Sequence, residues 1–282
     1  MGRQENLEIF EDTVCLYNTN EYLRKSIESS SLEEEFYAGD KSVARDNKSI
    51  YENDARIIVS QKRSMEAASY YARENKKVCV LNFASATNPG GGVTKGSSAQ
   101  EEAICRVSTL FPCLKERKMM RCFYYPHRDA LDPLHNDDAI YTPNVVVFKS
   151  DTSYPRLLVE NKWYKVNVIT SAAPNLRQNP SNSMNGGDGY KKAEITKENL
   201  LALLEKRIHR ILAIAEKKGN EVVILGAFGC GAFSNPPEIV AKAMKNEVEK
   251  FRKSFEIIEF AVYCPPYDDT NYLVFKRVLE TI

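Results

Sequence analysis

The sequence predicts an α/β protein built on a largely parallel sheet with helices on both faces. Three observations carry that expectation. Short apolar, β-branched runs alternate with longer segments of helical period from about residue 56 to the end. Two of those runs end in glycine-rich turns that feed helices, at 88–92 and 226–231. The length of 282 residues, set against roughly 150 per domain, allows one large domain or two modest ones and a sizeable core.

Taken in order, residues 4–36 read as two short helices. Leu7, Phe10 and Val14 share one face of the first, and the second runs through Leu23 and Ile27. Residues 29–53 are rich in Ser, Glu, Asp and Asn and read as a loop or hinge. The expected division is therefore 1–53 and 54–282. Alternation then begins with a strand at 56–60, a helix at 65–74 and an apolar strand at 78–83. After the first glycine turn a helix is expected from about 98 to 118. The β-branched runs 145–149 and 166–170 read as strands. The Asn-, Pro-, Ser- and Gly-rich stretch 174–190 reads as a long loop, either functional or without fixed structure. A helix at 197–218 and a strand at 222–225 lead into the second turn. Pro236 and Pro237 suit the start of the next helix. A strand at 257–263 and a helix at 270–279 close the chain. No repeat period is visible.

Composition excludes several classes. Lys plus Arg number 39 and Asp plus Glu 38, for a net charge of +1. That balance argues against a polyanion binder working through bulk charge, and no direct sequence-specific nucleic-acid binding is expected. The longest weakly polar run, 222–233, holds Gly226, Gly229 and Gly231. It falls short of the roughly 20 apolar residues a bilayer span needs, so no membrane association is expected. Acidic residues stand near the N-terminus where a secretory peptide would have its apolar core. Gly2 begins a poor myristoylation match, and a cytoplasmic location is expected. The seven cysteines are odd in number and lack CxxC spacing, and the three histidines are not paired at HxxxH spacing. Neither a disulfide framework nor a metal centre is expected.

Ligands of such sheets sit beyond the carboxyl ends of the strands, which directs attention to the two turns. In the first, Gly90, Gly91 and Gly92 follow Asn88-Pro89 directly after an apolar strand. Adjacent glycines let a backbone approach a ligand closely, although a flexible connection has the same composition. Gln100, Glu101 and Glu102 then start an apolar-periodic helix, aimed at whatever the turn holds. Glu101 has a second reading, since Ser98-x-x-Glu101 is a capping box. Carboxylates at a helix start tend to stay ionised, whereas a general acid needs a raised pKa; a dry site or a nearby anion would reconcile the two. In the second turn, Gly226, Gly229 and Gly231 lie between a strand and a helix start, where backbone amides suit a phosphate or diphosphate. The spacing fits neither a Walker A loop nor the simple dinucleotide pattern. Cys230 has the place of a strand-to-helix nucleophile, but Phe228 stands where that motif needs glycine. A small residue packed in the loop is the better reading.

Together the turns resemble the macrodomain fold, specifically the bacterial-type poly(ADP-ribose) glycohydrolase family. Its signature is Gly-Gly-Gly, six to eight residues, then Gln-Glu-Glu; here Gly90–Gly92 and Gln100-Glu101-Glu102 enclose residues 93–99. The second motif, Gly-x-x-Gly-Cys-Gly-x-Phe-x-Asn, is matched from Gly226 to Asn235. The stretches beginning Leu81-Asn-Phe-Ala-Ser-Ala, Ser108-Thr-Leu-Phe-Pro and Val168-Ile-Thr-Ser-Ala-Ala-Pro also read like the family, while 177–192 is the least similar part. The resemblance implies a three-layer α/β/α macrodomain with a central mixed, largely parallel sheet, preceded by a small helical accessory segment.

The resemblance also implies roles. Glu102 would be the catalytic acid and Glu101 would hold the hydroxyls of the ribose being cleaved. Asn88 and the backbone of Gly90–Gly92 would contact that same ribose, with Gln100 in support. Gly229, Cys230, Gly231, Ala232 and Phe233 would wrap the diphosphate, within the motif from Gly226 to Asn235, and Phe233 would press on a ribose. Ser171, Ala172 and Pro174 would line the adenosine side. The implied substrate is poly(ADP-ribose) or ADP-ribosylated macromolecules and the product ADP-ribose, with no cofactor. Two other activities stay open: a reader that binds ADP-ribose without turnover, and a hydrolase of mono-ADP-ribosylated protein or nucleic acid.

Overall fold

A computed structural model describes residues 2–45, 49–183 and 186–280. Residues 46–48 of the expected hinge and 184–185 of the expected loop lie outside the described residues. Helices α1 (Arg3–Thr19) and α2 (Glu21–Glu33) form at the N-terminus, and the Asn20 side chain between them caps α2 by accepting from the Leu23 amide. The next element is absent from the sequence reading. Strand β1 (Glu35–Tyr37) falls inside the expected hinge, three residues being too few to show a period-2 pattern. Strand β2 (Arg56–Ser60), helix α3 (Ser64–Arg73) and strand β3 (Val78–Phe83) follow as expected.

The expected helix 98–118 is in fact broken. Helix α4 (Gln100–Val107) stops where Ser108 turns extended and bridges to Val147, and α5 (Leu110–Leu114) resumes after it. Further helical turns follow: α6 (Arg117–Met119) at the end of the expected helix, and a π-helical turn at Met120–Tyr124 and α7 (Tyr125–Ala130) where the sequence predicts no element. Strand β4 (Ala139–Val147) starts earlier than the expected 145–149. Pro143 and Asn144 masked its continuity: Asn144 has φ 56° and the register shifts between Thr142 and Val145. Then come β5 (Tyr164–Ser171), α8 (Lys197–Lys217), β6 (Val222–Leu225), α9 (Pro237–Lys250), β7 (Ile257–Ala261) and α10 (Thr270–Leu279).

The seven strands form one sheet in the order β1-β4-β5-β3-β6-β7-β2, in which β4 alone runs against its neighbours. Alternate residues of the strands serve opposite faces. Leu81, Val223 and Phe260 pack with Leu204, Met244 and Phe275 on the side of α8, α9 and α10. Val80, Ile224 and Val168 pack with Phe10, Met65 and Ile104 on the side of α1, α3 and α4. The result is the three-layer α/β/α architecture. Because β3 and β6 are neighbours and parallel, the two glycine turns leave the same edge of the sheet side by side. Helix α1 shares the second core cluster, its Phe10 ring meeting Phe111 edge-on at 5.0 Å. Among the described residues no helix is long and apolar enough to cross a membrane.

Where α2 hands over to β1, Glu34 is buried. One carboxyl oxygen accepts from the Thr142 hydroxyl at 2.5 Å, the other has no partner, and Lys118 donates to its carbonyl instead. Burial, with Glu116 adding to it, pushes this carboxyl up to about 8. The folded chain therefore keeps a proton that the unfolded chain releases, and stability falls as pH rises between the two values. The expected fall is up to about 1.4 kcal/mol per pH unit in that window. Glu34→Gln should flatten it. Denaturant unfolding at steps across the window checks this, and equal slopes in both proteins would exclude Glu34 as the source.

Candidate active site

The site begins at the end of β3. Asn82 is a fully buried polar residue in an otherwise apolar strand, so its amide must find partners. It donates to Glu101 Oε1 and to Thr170 Oγ1, both at 3.2 Å. Gln100 ties the first turn of α4 to the same strand. Its Oε1 accepts from the Phe83 amide at 2.9 Å, and its Nε2 donates to the Leu81 carbonyl and the Ser64 hydroxyl. With α4 anchored this way, Glu101 and Glu102 follow at fixed positions beneath the glycine turn.

The capping-box reading of Glu101 is not what forms. The N-cap is Ala99, without a side-chain cap, and Glu101 Oε2 accepts instead from the Ser85 amide at 2.8 Å. Glu102 Oε1 accepts from the Gly92 amide at 2.8 Å, while its Oε2 is buried with no partner. Gly91 sits against both side chains. Its φ is +59°, and a Cβ there would stand 2.5 Å from Glu102 Oε1 and 3.1 Å from Glu101 Oε2. Here the turn needs glycine for both conformation and space. Gly90 packs in the same close way on the Phe111 ring.

Glu101 is 3% exposed and Glu102 is 7% exposed. Burial raises the Glu101 carboxyl well above the usual range and the neighbouring Glu102 adds to that, against the opposing amides of Ser85 and Gly90. Burial also raises Glu102, against the Gly92 amide and the Arg106 guanidinium one turn along the helix. The competition between helix-start amides and desolvation is thus won by desolvation.

A cleft of about 500 Å³ lies beyond the carboxyl ends of β3, β6 and β7. Gln100, Gly229, Gly231, Ala232 and Phe233 line it, together with Phe83 and Ala173. Gly229 has φ +75°, and its Cα faces Ala173 and the Asn235 amide so closely that a Cβ would stand 2.5 and 2.6 Å from them. Asn235 is buried and ties the turn to the segment after β5, donating to the Pro174 carbonyl at 2.7 Å and to the Gly229 carbonyl. Gly226 lies flat on the end of β7, facing the Ala261 carbonyl. Cys230 packs against the core, and burial raises its thiol, so the thiolate a nucleophile requires is disfavoured. Phe233 is half-buried, its ring 5.9 Å from that of His135.

Other expected residues stand apart from the cleft wall, and Glu101, Glu102 and the Gly90–Gly92 turn lie behind it, next to the lining residues Gln100 and Ala103. Ser171, Ala172 and Pro174 are buried behind it, with Ala173 alone of that segment facing in. The Asn88 amide donates to the Thr87 hydroxyl and to the Gly186 carbonyl, both at 2.9 Å, turned toward the loop 174–190. Sequence reasoning missed Asn82 and Ser85, for which a lone Asn in an apolar strand was the available signal. It also missed Tyr263 and Tyr267 at the far end of the cleft. There the Arg63 guanidinium lies 4.0 Å from the centre of the Tyr263 ring. Their placement around a Pro-Pro pair after a strand was the only hint.

Comparisons with known proteins match the chain in sequence and in fold. Residues 4–150 match the family described as microbial-type PARG, catalytic domain. No curated protein matches the chain. Among solved structures, the poly(ADP-ribose) glycohydrolase of Thermomonospora curvata bound to the inhibitor ADP-HPD is 30% identical. That match has a TM-score of 0.80 and covers 97% of this chain and 99% of the other. The poly(ADP-ribose) glycohydrolase of Deinococcus radiodurans in complex with ADP-ribose is 27% identical, with a TM-score of 0.74 over 90% of this chain and 97% of the other.

The close seating of Gly91 makes a stability prediction. Gly91→Ala must hold a left-handed φ, at about 1–2 kcal/mol, and must also displace Glu102. Gly231→Ala, whose Cβ would meet nothing within 4 Å, should stay within about 0.5 kcal/mol of the parent. Denaturant unfolding of the two variants checks the difference, and equal losses would mean that the turn is not packed on the carboxyls.

Proposed function

The chain belongs to the microbial-type poly(ADP-ribose) glycohydrolase family, and from that membership we propose that it hydrolyses the ribose–ribose O-glycosidic bonds of poly(ADP-ribose) and releases ADP-ribose. The observation that carries the reading is the buried, unpartnered Oε2 of Glu102 beside Glu101, beneath the Gly90–Gly92 turn. Solved members of the family hold ADP-ribose or ADP-HPD, and the cleft has room and partners for the same kind of ligand.

Glu102, its carboxyl raised by burial, gives its proton to the leaving oxygen as the anomeric C–O bond breaks through an oxocarbenium-like state. The resulting carboxylate takes a proton from the water that adds to the anomeric carbon, which restores the acid. The ligand's own diphosphate stabilises the developing positive charge. Glu101, with the backbone of Gly90–Gly92, holds the hydroxyls of the ribose under attack, and Asn88 instead ties that turn to the loop 174–190. Gln100 keeps the helix start on β3. The amides of Gly229, Gly231, Ala232 and Phe233 cradle the diphosphate, with Phe233 against a ribose, while the Cys230 amide closes the turn on the Ala227 carbonyl. Adenosine lies toward Tyr263 and Tyr267 as well as Ala173, rather than on the buried Ser171, Ala172 and Pro174. Helix α1, which shares the core cluster on the α3 and α4 side of the sheet, acts with residues 54–282 as one unit, and the protein works in the cytoplasm.

Two buried carboxyls beside an anionic ligand have no purpose in a reader, which favours turnover. The deciding assay compares release of free ADP-ribose from purified polymer with release from a mono-modified acceptor. Binding of ADP-ribose without release would make the chain a reader; release from the mono-modified acceptor alone would make it a mono-ADP-ribosyl hydrolase.

Glu102→Gln keeps size and polarity but cannot shuttle a proton. It should lose a factor of about 10²–10⁴ in turnover while ADP-ribose affinity changes by less than about tenfold. Glu101→Gln should weaken both together. Turnover on polymer and calorimetric titration of ADP-ribose check the pair, and near-parent turnover of Glu102→Gln would remove the assignment. Phe233→Ala should lower turnover strongly with little effect on the thermal midpoint, whereas a core phenylalanine would cost about 3–5 kcal/mol. A large thermal loss would make Phe233 a packing residue.

A further inference from the structure

We propose that Asn6 of α1 is a positioning residue for Glu102, acting through the loop that follows the three glycines; the inference rests on the hydrolase reading above. The loop closes on itself. The Gly92 carbonyl accepts from the amides of Lys95 at 2.9 Å and Ser97 at 3.1 Å, and the Gly96 amide donates to the Val93 carbonyl. The Gly92 amide, at the start of this closed turn, donates to Glu102 Oε1. Whatever fixes the turn therefore fixes the carboxyl that moves the proton.

Helix α1 supplies the wall. Asn6 is 2% exposed and donates through its Nδ2 to the Gly96 carbonyl at 3.0 Å, across 90 residues of sequence. Gly96 has φ +76°, and a Cβ there would stand 2.3 Å from the Arg3 carbonyl, so the first turn of α1 lies directly on it. A second tie reaches the catalytic helix itself. The Thr13 hydroxyl donates to the Arg106 carbonyl at 2.5 Å, and Arg106 in turn donates to the Ser97 carbonyl. Buried Lys149 holds Thr13 in place, donating to its hydroxyl at 2.7 Å and pairing with Asp12. Phe10 of the same helix backs Phe111, on whose ring Gly90 rests. Contacts from Arg3, Asn6, Phe10 and Thr13 thus run from α1 to both sides of the carboxyl pair, and a misplacement of about 1 Å there costs on the order of 10²-fold in rate.

The test compares steady-state kinetics on polymer with thermal unfolding for three variants of the full chain. Asn6→Ala removes the tie to Gly96 and should lower kcat between about tenfold and 10²-fold, with KM within about threefold. Thr13→Val, of nearly the same shape, removes the tie to Arg106 and should show the same split to a smaller extent; it keeps the proposal open to refutation if Asn6→Ala does not fold. Tyr17→Ala opens the far end of α1, where Tyr17 packs with Leu23, Val146 and Phe148. It should lower the thermal midpoint and leave kcat unchanged. Unchanged kcat in both Asn6→Ala and Thr13→Val overturns the proposal. So does a rise in KM alone, which would make Asn6 a substrate contact, or an equal fall of kcat in Tyr17→Ala. If the parent chain releases no ADP-ribose from polymer, the functional reading itself has failed; if it does and the variants match it, only the role of Asn6 has.

Discussion

Everything at this site depends on the seating of a glycine turn directly on two buried carboxyls. Gly91 leaves no room for a Cβ against Glu101 and Glu102, and that closeness excludes solvent from both. Two carboxyls so placed cannot both ionise cheaply, because each is desolvated and each repels the other. The amides of Ser85 and Gly92 offset part of that cost by donating to one oxygen of each. What remains unsatisfied is Glu102 Oε2. On the proposed hydrolase reading, that oxygen delivers the proton to the glycosidic bond.

The fold serves this arrangement in layers. Parallel pairing of β3 and β6 places an acid-bearing turn next to an amide-bearing one. On the proposed reading the first acts on a sugar while the second holds its diphosphate. Gln100 carries the strand's hydrogen bonding over into the helix start, so the register of the carboxyls is inherited from the sheet. Asn235 does the equivalent for the second turn by joining it to the end of β5 through the Pro174 carbonyl. Polar side chains that look like ligand contacts in the sequence therefore divide into those facing the cleft and those that hold its rim.

That division explains which parts were legible. The alternation of apolar runs gave away the sheet and its flanking helices, because period-2 and period-3.6 patterns follow directly from burial on known faces. Elements set by tertiary context did not show: β1 is three residues of polar hinge paired to a long neighbour, and β4 continues through Pro143-Asn144 by way of a bulge. The glycine triplet and Gln100-Glu101-Glu102 were readable as a site from chemistry and spacing. Glu101 was ambiguous, since a capping box and a ligand-facing acid share one pattern; the competing amide of Ser85 comes from another segment and leaves no local trace. Asn6 was invisible for the same reason, its partner lying 90 residues away.

Burial, not the helix start, sets the direction in which the carboxyl pair titrates, raising both groups. The direct measurement is a carbon-13 NMR titration of the chain carrying labelled glutamate carboxyls, with Glu101→Gln and Glu102→Gln used to assign the two signals. The pair, titrating as a coupled unit, should lose its protons above the usual glutamate range of about 4.3. Titration of both carboxyls at or below that range would contradict this.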